Sequence, residues 1–188
     1  MELLHVVLVS LSLTTVVSAT DPCPSKDWTE MAPIKNMDTN KNETFCYLSP
    51  HEKVSFFDAI VYCEAIGKPG MFKTNLVTIT SEEKAENLNL FIKQTVDDKH
   101  LTEIWASGNG YTKKWVWLPT MDEFDYTDWK LPKHNTAVEK SCLQVTVNPA
   151  GLNGTWTNTP CSRSSLAVCE YRVPEPMVPA APAAPAPT

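Results

Sequence analysis

Six cysteines, at positions 23, 46, 63, 142, 161 and 169, constrain this chain of 188 residues more than any other feature. All six follow an apolar leader, Leu3 to Val17, and "VSA" ends at Ala19. That leader reads as a secretory signal peptide over residues 1–19, so the mature chain is expected to begin near Thr20 and to enter an oxidising compartment. The stretch is short for a bilayer span of about 20 residues. An even cysteine count in an exported chain implies three disulfides, and spacing alone leaves about fifteen ways of pairing them. Two sequons, Asn42-Glu-Thr44 and Asn153-Gly-Thr155, are permissible glycosylation sites in that compartment. The net charge is −6 and no basic cluster occurs. Nucleic acid and anionic membrane are therefore not expected partners, and the expected location is extracellular fluid.

Hydrophobic patterning divides the chain into a helical first half and a stranded second half. Residues 23–47 read as an opening hairpin, with Cys23 and Cys46 placed to staple it. The stretch "VSFFDAIVYCEAIG" puts Phe57, Ile60, Val61 and Cys63 on one helical face, with Ser55 as N-cap and Gly67 in the place of a C′ glycine. "NLVTIT" reads as a short buried strand. Thr80-Ser-Glu-Glu83 has the form of a capping box ahead of a second helix, whose apolar face holds Ala85, Leu88, Phe91 and Ile92. Glu82 and Glu83 at its start and Lys93 near its end suit the macrodipole. Beyond residue 103, "EIWASG", "KWVWL", "CLQVTV", "GTWTN" and "LAVCEYRV" read as strands. Between them runs a long irregular stretch, Pro119 to Ser141, of the kind that is functional or disordered inside a compact domain. Residues 173–188 form a Pro/Ala-rich tail with a proline at six of the last fifteen positions, expected to be extended. The fold class is α+β: a domain over residues 20–172 with two helices, a mostly antiparallel sheet and one long loop, closed by three disulfides.

The second half resembles the C-type lectin domain family. The resemblance rests on Cys63 in "IVYCEAIG", Trp105 in "EIWASGNG", Trp129 in "YTDWKLP", Cys142 in "EKSCLQV", and Cys161 and Cys169 in "TPCSRSSLAVCEY". "CPSKDW" with "FCY" is similar to the long form of that domain, which carries an extra N-terminal disulfide. "WASGN" and "WVWLPT" look most like secreted arthropod members. The resemblance implies the pairing Cys23–Cys46, Cys63–Cys169 and Cys142–Cys161. The second of these closes the longest loop, a constraint on the order of 4 to 5 kcal/mol on the unfolded chain in the entropy model. It implies a secreted binding module, a non-enzyme whose partners are glycans or proteins, with a place among humoral immune factors.

Sugar-binding members of the family hold a calcium ion at the long loop. They do so through a Glu-Pro-Asn or Gln-Pro-Asp triplet, a glutamate before the third framework cysteine, and a Trp-Asn-Asp triplet before the fourth. Calcium takes six to eight oxygens, and carboxylates control its affinity. Here the first triplet becomes Leu131-Pro132-Lys133 and the second Trp156-Thr157-Asn158. Leu131 offers no oxygen and Lys133 brings a positive charge. Glu139 remains, three positions before Cys142. Glu139 and Asn158 are thus weak metal candidates, and no cofactor is expected at the usual site. A calcium-dependent lectin with a divergent site is the competing expectation. A glycan on Asn153 would stand close to Trp156, which is expected to pack in the core. The loop acids Asp122, Glu123, Asp125 and Asp128 lack the EF-hand spacing and read as a solvated surface, as do His51 and His134. Trp105, Trp115, Trp117, Trp129 and Trp156 fall in or beside predicted strands, where core packing is the expected use.

Overall fold

The computed structural model describes residues 21–68, 70–96, 102–137, 140–147 and 155–175. The leader, most of the tail, Glu139 and Asn153 lie outside the described residues, as do the side chains of Lys133 and His134. In chain order the elements are β1 (Thr29–Glu30), β2 (Ile34–Lys35), β3 (Asn42–Glu43), β4 (Phe45–Leu48), β5 (Lys53–Val54), α1 (Phe56–Ala65), β6 (Thr74–Leu76) and α2 (Glu82–Thr95). The second half follows with β7 (Thr102–Asn109), β8 (Val116–Trp117), β9 (Ser141–Val147), β10 (Thr155–Pro160), β11 (Ser165–Ala167) and β12 (Cys169–Arg172). The three disulfides are Cys23–Cys46, Cys63–Cys169 and Cys142–Cys161, the pairing that the family resemblance implies.

Two sheets share the core. The smaller has the order β1-β4-β12-β6 and the larger β10-β9-β7-β11-β5, with β8 hung on β7; β2 and β3 make a separate hairpin. All pairings are antiparallel except β11 with β7. The opening hairpin is present as β1 on β4, with the β2–β3 hairpin inserted between its arms. "LAVCEYRV" is two strands rather than one, because the chain leaves the larger sheet at Ala167 and enters the smaller at Cys169. Val168 marks that crossing, and its carbonyl accepts from Val77 N at 2.8 Å. Val77 in turn accepts from Ser107 N at 2.8 Å, so the two sheets are stitched through one buried residue.

Ser55 caps α1, accepting from Asp58 N at 3.3 Å. The buried stripe of α1 is Phe56, Ala59 and Cys63; of the predicted face, Cys63 is buried and Ile60 packs at the edge of that cluster, while Phe57 and Val61 are outside. Phe57 is 59 % and Val61 65 % exposed. Apolar residues sit on both sides of this helix, and the bond from Cys63 to Cys169 turns the Phe56 side inward. Gly67 follows the C-cap Ile66, but it is not a left-handed cap; a Cβ there would stand 2.9 Å from Thr74 Oγ1, so close approach of β6 requires the glycine. In α2 the cap is Ser81 rather than Thr80, with Lys84 N as its donor at 3.2 Å. The expected apolar face is inside, and Lys84 is inside with it.

Lys84 is only 3 % exposed and makes a buried network. Its ammonium lies 2.8 Å from Glu170 Oε2 and donates to Thr78 Oγ1 at 2.6 Å. Thr78 passes a hydrogen bond to Glu170 Oε1 at 2.7 Å, and the ammonium also sits 4.2 Å from the Phe45 ring centre. Burial, and then the Glu170 charge, push the Tyr47 phenol beside it well above its ordinary pKa. Breaking such a pair leaves a charge without its partner and costs about 3 to 5 kcal/mol, whereas replacing both members by apolar groups is often neutral. Lys84→Met is therefore expected to lower the melting temperature by roughly 10 °C, and Lys84→Met with Glu170→Leu to recover most of that loss. Differential scanning calorimetry of the two variants decides it; equal losses would show that the pair is not the unit.

Candidate functional site

The long loop does not stand away from the domain. It folds onto β8 and β10. Trp117 N donates to Asp122 O at 2.9 Å and Phe124 N to Trp115 O at 3.2 Å, which turns the chain back on itself. Further on, Trp156 N donates to Asp128 O at 2.8 Å and Lys130 N to Trp156 O at 3.0 Å. The loop thereby pairs in parallel with the free edge of β10 at Trp129 and Trp156.

Aromatic rings fill the space beneath. Phe124 stacks on Trp117 at 4.1 Å between centroids, and Trp115 contacts Trp129 at 4.9 Å. Trp156, 1 % exposed, receives the rings of Trp117, Phe124, Tyr126 and Trp129 edge-on. Such pairs contribute about 0.5 to 1.5 kcal/mol each beyond burial. Gly108 of β7 makes room for them: a Cβ at that position would lie 2.5 Å from Phe124 Cζ and 2.8 Å from Leu143 Cβ. Trp105, Trp115 and Trp117 are buried and Trp129 is half-buried, so packing accounts for most of the tryptophans. Phe124 and Tyr126 were not among the predicted site residues. Their signal is present in "EFDYTDW", where aromatics recur every second or third residue among acids.

The two degenerate triplets meet in space. Leu131, 45 % exposed, precedes a 3-10 turn at Pro132–Asn135, and the carbonyl of Thr136 just beyond it accepts from Asn158 Nδ2 at 3.3 Å. Thr157 Oγ1 donates to Gln144 O at 3.3 Å. Trp156 is in the core. Beside them a cleft of about 290 Å³ is lined by Lys113, Lys114, Trp115, Glu123, Phe124 and Trp129, with Thr127, Asn135 and Ala137 at its margins. Trp115 Nε1 donates to Asn135 O at 2.8 Å, and Lys114 and Glu123 form an ion pair at the rim.

On its other side the loop faces the first turn of α2. Burial, and then the charge of Glu82, raise the pKa of the half-buried Asp128. Burial and the nearby carboxylates of Asp128, Glu82, Glu86 and Glu83 raise that of Tyr126. A carboxyl whose folded pKa lies above its unfolded value favours the protonated folded state. Asp128 thus opposes folding at neutral pH, and the opposition is relieved as pH falls through its folded pKa. Glu82→Gln removes one of the two causes and is expected to lower the pKa of Asp128 in an NMR titration of its carboxyl carbon. An unchanged titration would place the cause in burial alone. Gly108→Ala is expected to displace Phe124 and cost about 1 to 3 kcal/mol, with loss of the near-ultraviolet dichroism of the tryptophan cluster; an unaltered spectrum would show that the rings yield freely.

Comparison with known proteins gives this architecture its place. Residues 52–171 match the family described as Lectin C-type domain. E-selectin of Equus caballus is 22 % identical over 125 residues, covering 65 % of this chain and 19 % of that protein, so the chain spans about a fifth of its relative's length. Human lithostathine superimposes with a TM-score of 0.59 at 19 % identity, over 87 % of this chain and 99 % of its own. The C-type lectin CEL-I of Cucumaria echinata does so with a TM-score of 0.62 at 13 % identity, over 82 % of this chain and 100 % of its own. At those identities the two structures share the fold with this one. The matched span covers well over half of the sequence and holds both helices: this chain belongs to the C-type lectin domain family.

Proposed function

We propose that the chain is a secreted C-type lectin-like binding module, not an enzyme, that takes glycan or protein ligands on its long-loop face without the family's calcium ion. The observation that carries this reading is the chemistry of the residues at the family's ligand positions. Thr157 and Asn158 are held against the carbonyls of Gln144 and Thr136, and each offers a cation a neutral oxygen where the family has an amide and a carboxylate. The side chain of Leu131 has no oxygen to offer, and Lys133 is the wrong charge for a cation site. Among the side chains of these two triplets, no carboxylate remains, and carboxylate count is the main control on calcium affinity. This donor set does not fit the ion.

Secretion is supported by the three disulfides, which persist in oxidising compartments. No helix among the described residues is long and apolar enough to cross a membrane. Asn42 is exposed on the β2–β3 hairpin, where it is open to glycosylation. A humoral immune role fits a small exported binding module with arthropod-like motifs.

The test is a thermal melt of the mature protein in millimolar calcium and again in chelator. A site filled at a hundredfold excess over its Kd stabilises by about 2.7 kcal/mol, or roughly 5 to 10 °C here. The expected outcome is coincident melts, together with retention on microbial cell surfaces that chelator does not abolish. A calcium-dependent rise of that size would make the chain a calcium lectin with a divergent site.

A further inference from the structure

The outer side of α1 is apolar where a surface helix is ordinarily polar. Phe57 is 59 % and Val61 65 % exposed, and four residues apart they stand one above the other. Glu64, on the same side, borders a groove of about 630 Å³ that it shares with Lys68, Met71, Phe72 and Thr74. Met71 is 74 % exposed. Single exposed apolar residues need no explanation, but a run of them marks a surface that something covers. The chain itself brings a candidate to that place. In the smaller sheet Cys169 stands opposite Leu76 and Tyr171 opposite Thr74. Carried on, that register sets Pro174 beside Met71. Val173 and Phe72 pack against the same cluster of Tyr171 and the Cys23–Cys46 disulfide. Val173 N donates to Thr44 O at 2.9 Å and Glu175 is paired with Lys41 at 2.7 Å, which fixes the root of the tail there. Residues 176–188 hold no charged side chain, and Pro176, Pro179, Pro182 and Pro185 recur at every third position. Three residues make one turn of a polyproline II helix, so these prolines fall along one edge of it.

We propose that residues 176–188 cover this face of their own chain: as a polyproline II helix the tail lies in the groove beside Met71 and runs on across Val61 and Phe57 of α1. Reach is sufficient. The tail spans about 40 Å at 3.1 Å per residue, and the ten residues of α1 span about 15 Å. The ordering cost is low, because the prolines hold that conformation before any contact forms. The tether lowers it further, since a segment rooted beside its groove acts at a concentration on the order of millimolar. Even a contact too weak to hold a free peptide then keeps the tail down. A second copy fits this face less well. Two α1 helices packed antiparallel about Val61 would set the exposed Asp58 of each against the exposed Glu64 of the other, carboxylate on carboxylate.

The experiment is NMR on the mature chain: nuclear Overhauser contacts and nitrogen relaxation, with a mixture of labelled and unlabelled chains to separate contacts within one chain from contacts between chains. Contacts from the methyl groups of Met177 and Val178 to Met71, and from the tail alanines to Val61, are expected within one chain. Backbone order parameters at Ala180, Ala181, Ala183 and Ala184 are expected above about 0.6, the level below which a backbone counts as flexible. Val61→Asp is expected to abolish the contacts to α1 and bring those order parameters below that level. At an exposed position it moves the melting temperature by no more than about 5 °C. Leu90→Asp, on the exposed side of α2, leaves contacts and order parameters intact. Low order parameters along the whole tail would overturn the assignment, as would contacts seen only between chains or contacts that survive Val61→Asp. None of these readouts involves calcium or the long loop.

Discussion

Strand β12 is the member on which the other elements are fastened. Its side chains alternate between the two faces of the smaller sheet, and successive residues tie down different parts of the molecule. Cys169 is bonded to Cys63 of α1, Glu170 is paired with Lys84 of α2, and Tyr171 packs against the Cys23–Cys46 disulfide with Trp28 and Phe72. The covalent tie closes a separation of 106 residues, so its effect on the unfolded chain is the largest of the three in a loop-entropy account. The ionic tie has a different character. A buried ion pair adds little net stability against an apolar pair of the same volume, but it tolerates few other placements of the helix. Together the two hold both helices to one strand, and the larger sheet follows because β11 continues directly into β12.

Much of this was legible from residue types. Cysteine spacing, the family markers and the alternation of short apolar runs with turns led to both helices and to the longer strands in the right order, since these signals are local or covalent, while the two-residue strands β2, β3 and β5 left no such mark. The rotation of α1 was not legible. Phe56, Phe57, Ile60 and Val61 place apolar groups on neighbouring stripes, and only the partner of Cys63 decides which stripe is buried. Lys84 was hidden for the same reason: a lysine one turn into a capped helix looks like surface until Glu170 and Thr78 arrive from distant sequence. The break at Val168 was invisible because an uninterrupted apolar run carries no mark of a change of sheet.

At the candidate site, the loss of carboxylates could be seen position by position, while the use made of the replacements could not. Thr157 and Asn158 became members of the β9–β10 edge and its neighbouring turn, which depends on carbonyls that sequence patterning does not place. The cleft was equally hidden. Its lining comes from three separate stretches, around residues 113–115, 123–129 and 135–137, and nothing in any one of them indicates a pocket.

The ordering of the long loop gives these features a common cause. Fixing a residue's backbone costs about 1 to 2 kcal/mol of conformational entropy, so the described part of this loop, residues 119–137, must be held by something specific. A bound cation does this by gathering carboxylates. On the proposed reading this chain has replaced them with rings, since Phe124, Tyr126 and Trp129 insert beneath the loop and Trp156 closes the stack. Bonds between the loop and β10 satisfy the backbone at that edge. Holding a loop by aromatic packing differs from holding it by a metal in one respect that matters for recognition. The metal presents open coordination positions to a ligand, whereas packed rings present only their uncovered faces and whatever charges border them. On the proposed reading, a ligand of this loop meets side chains and backbone and not a metal's open positions.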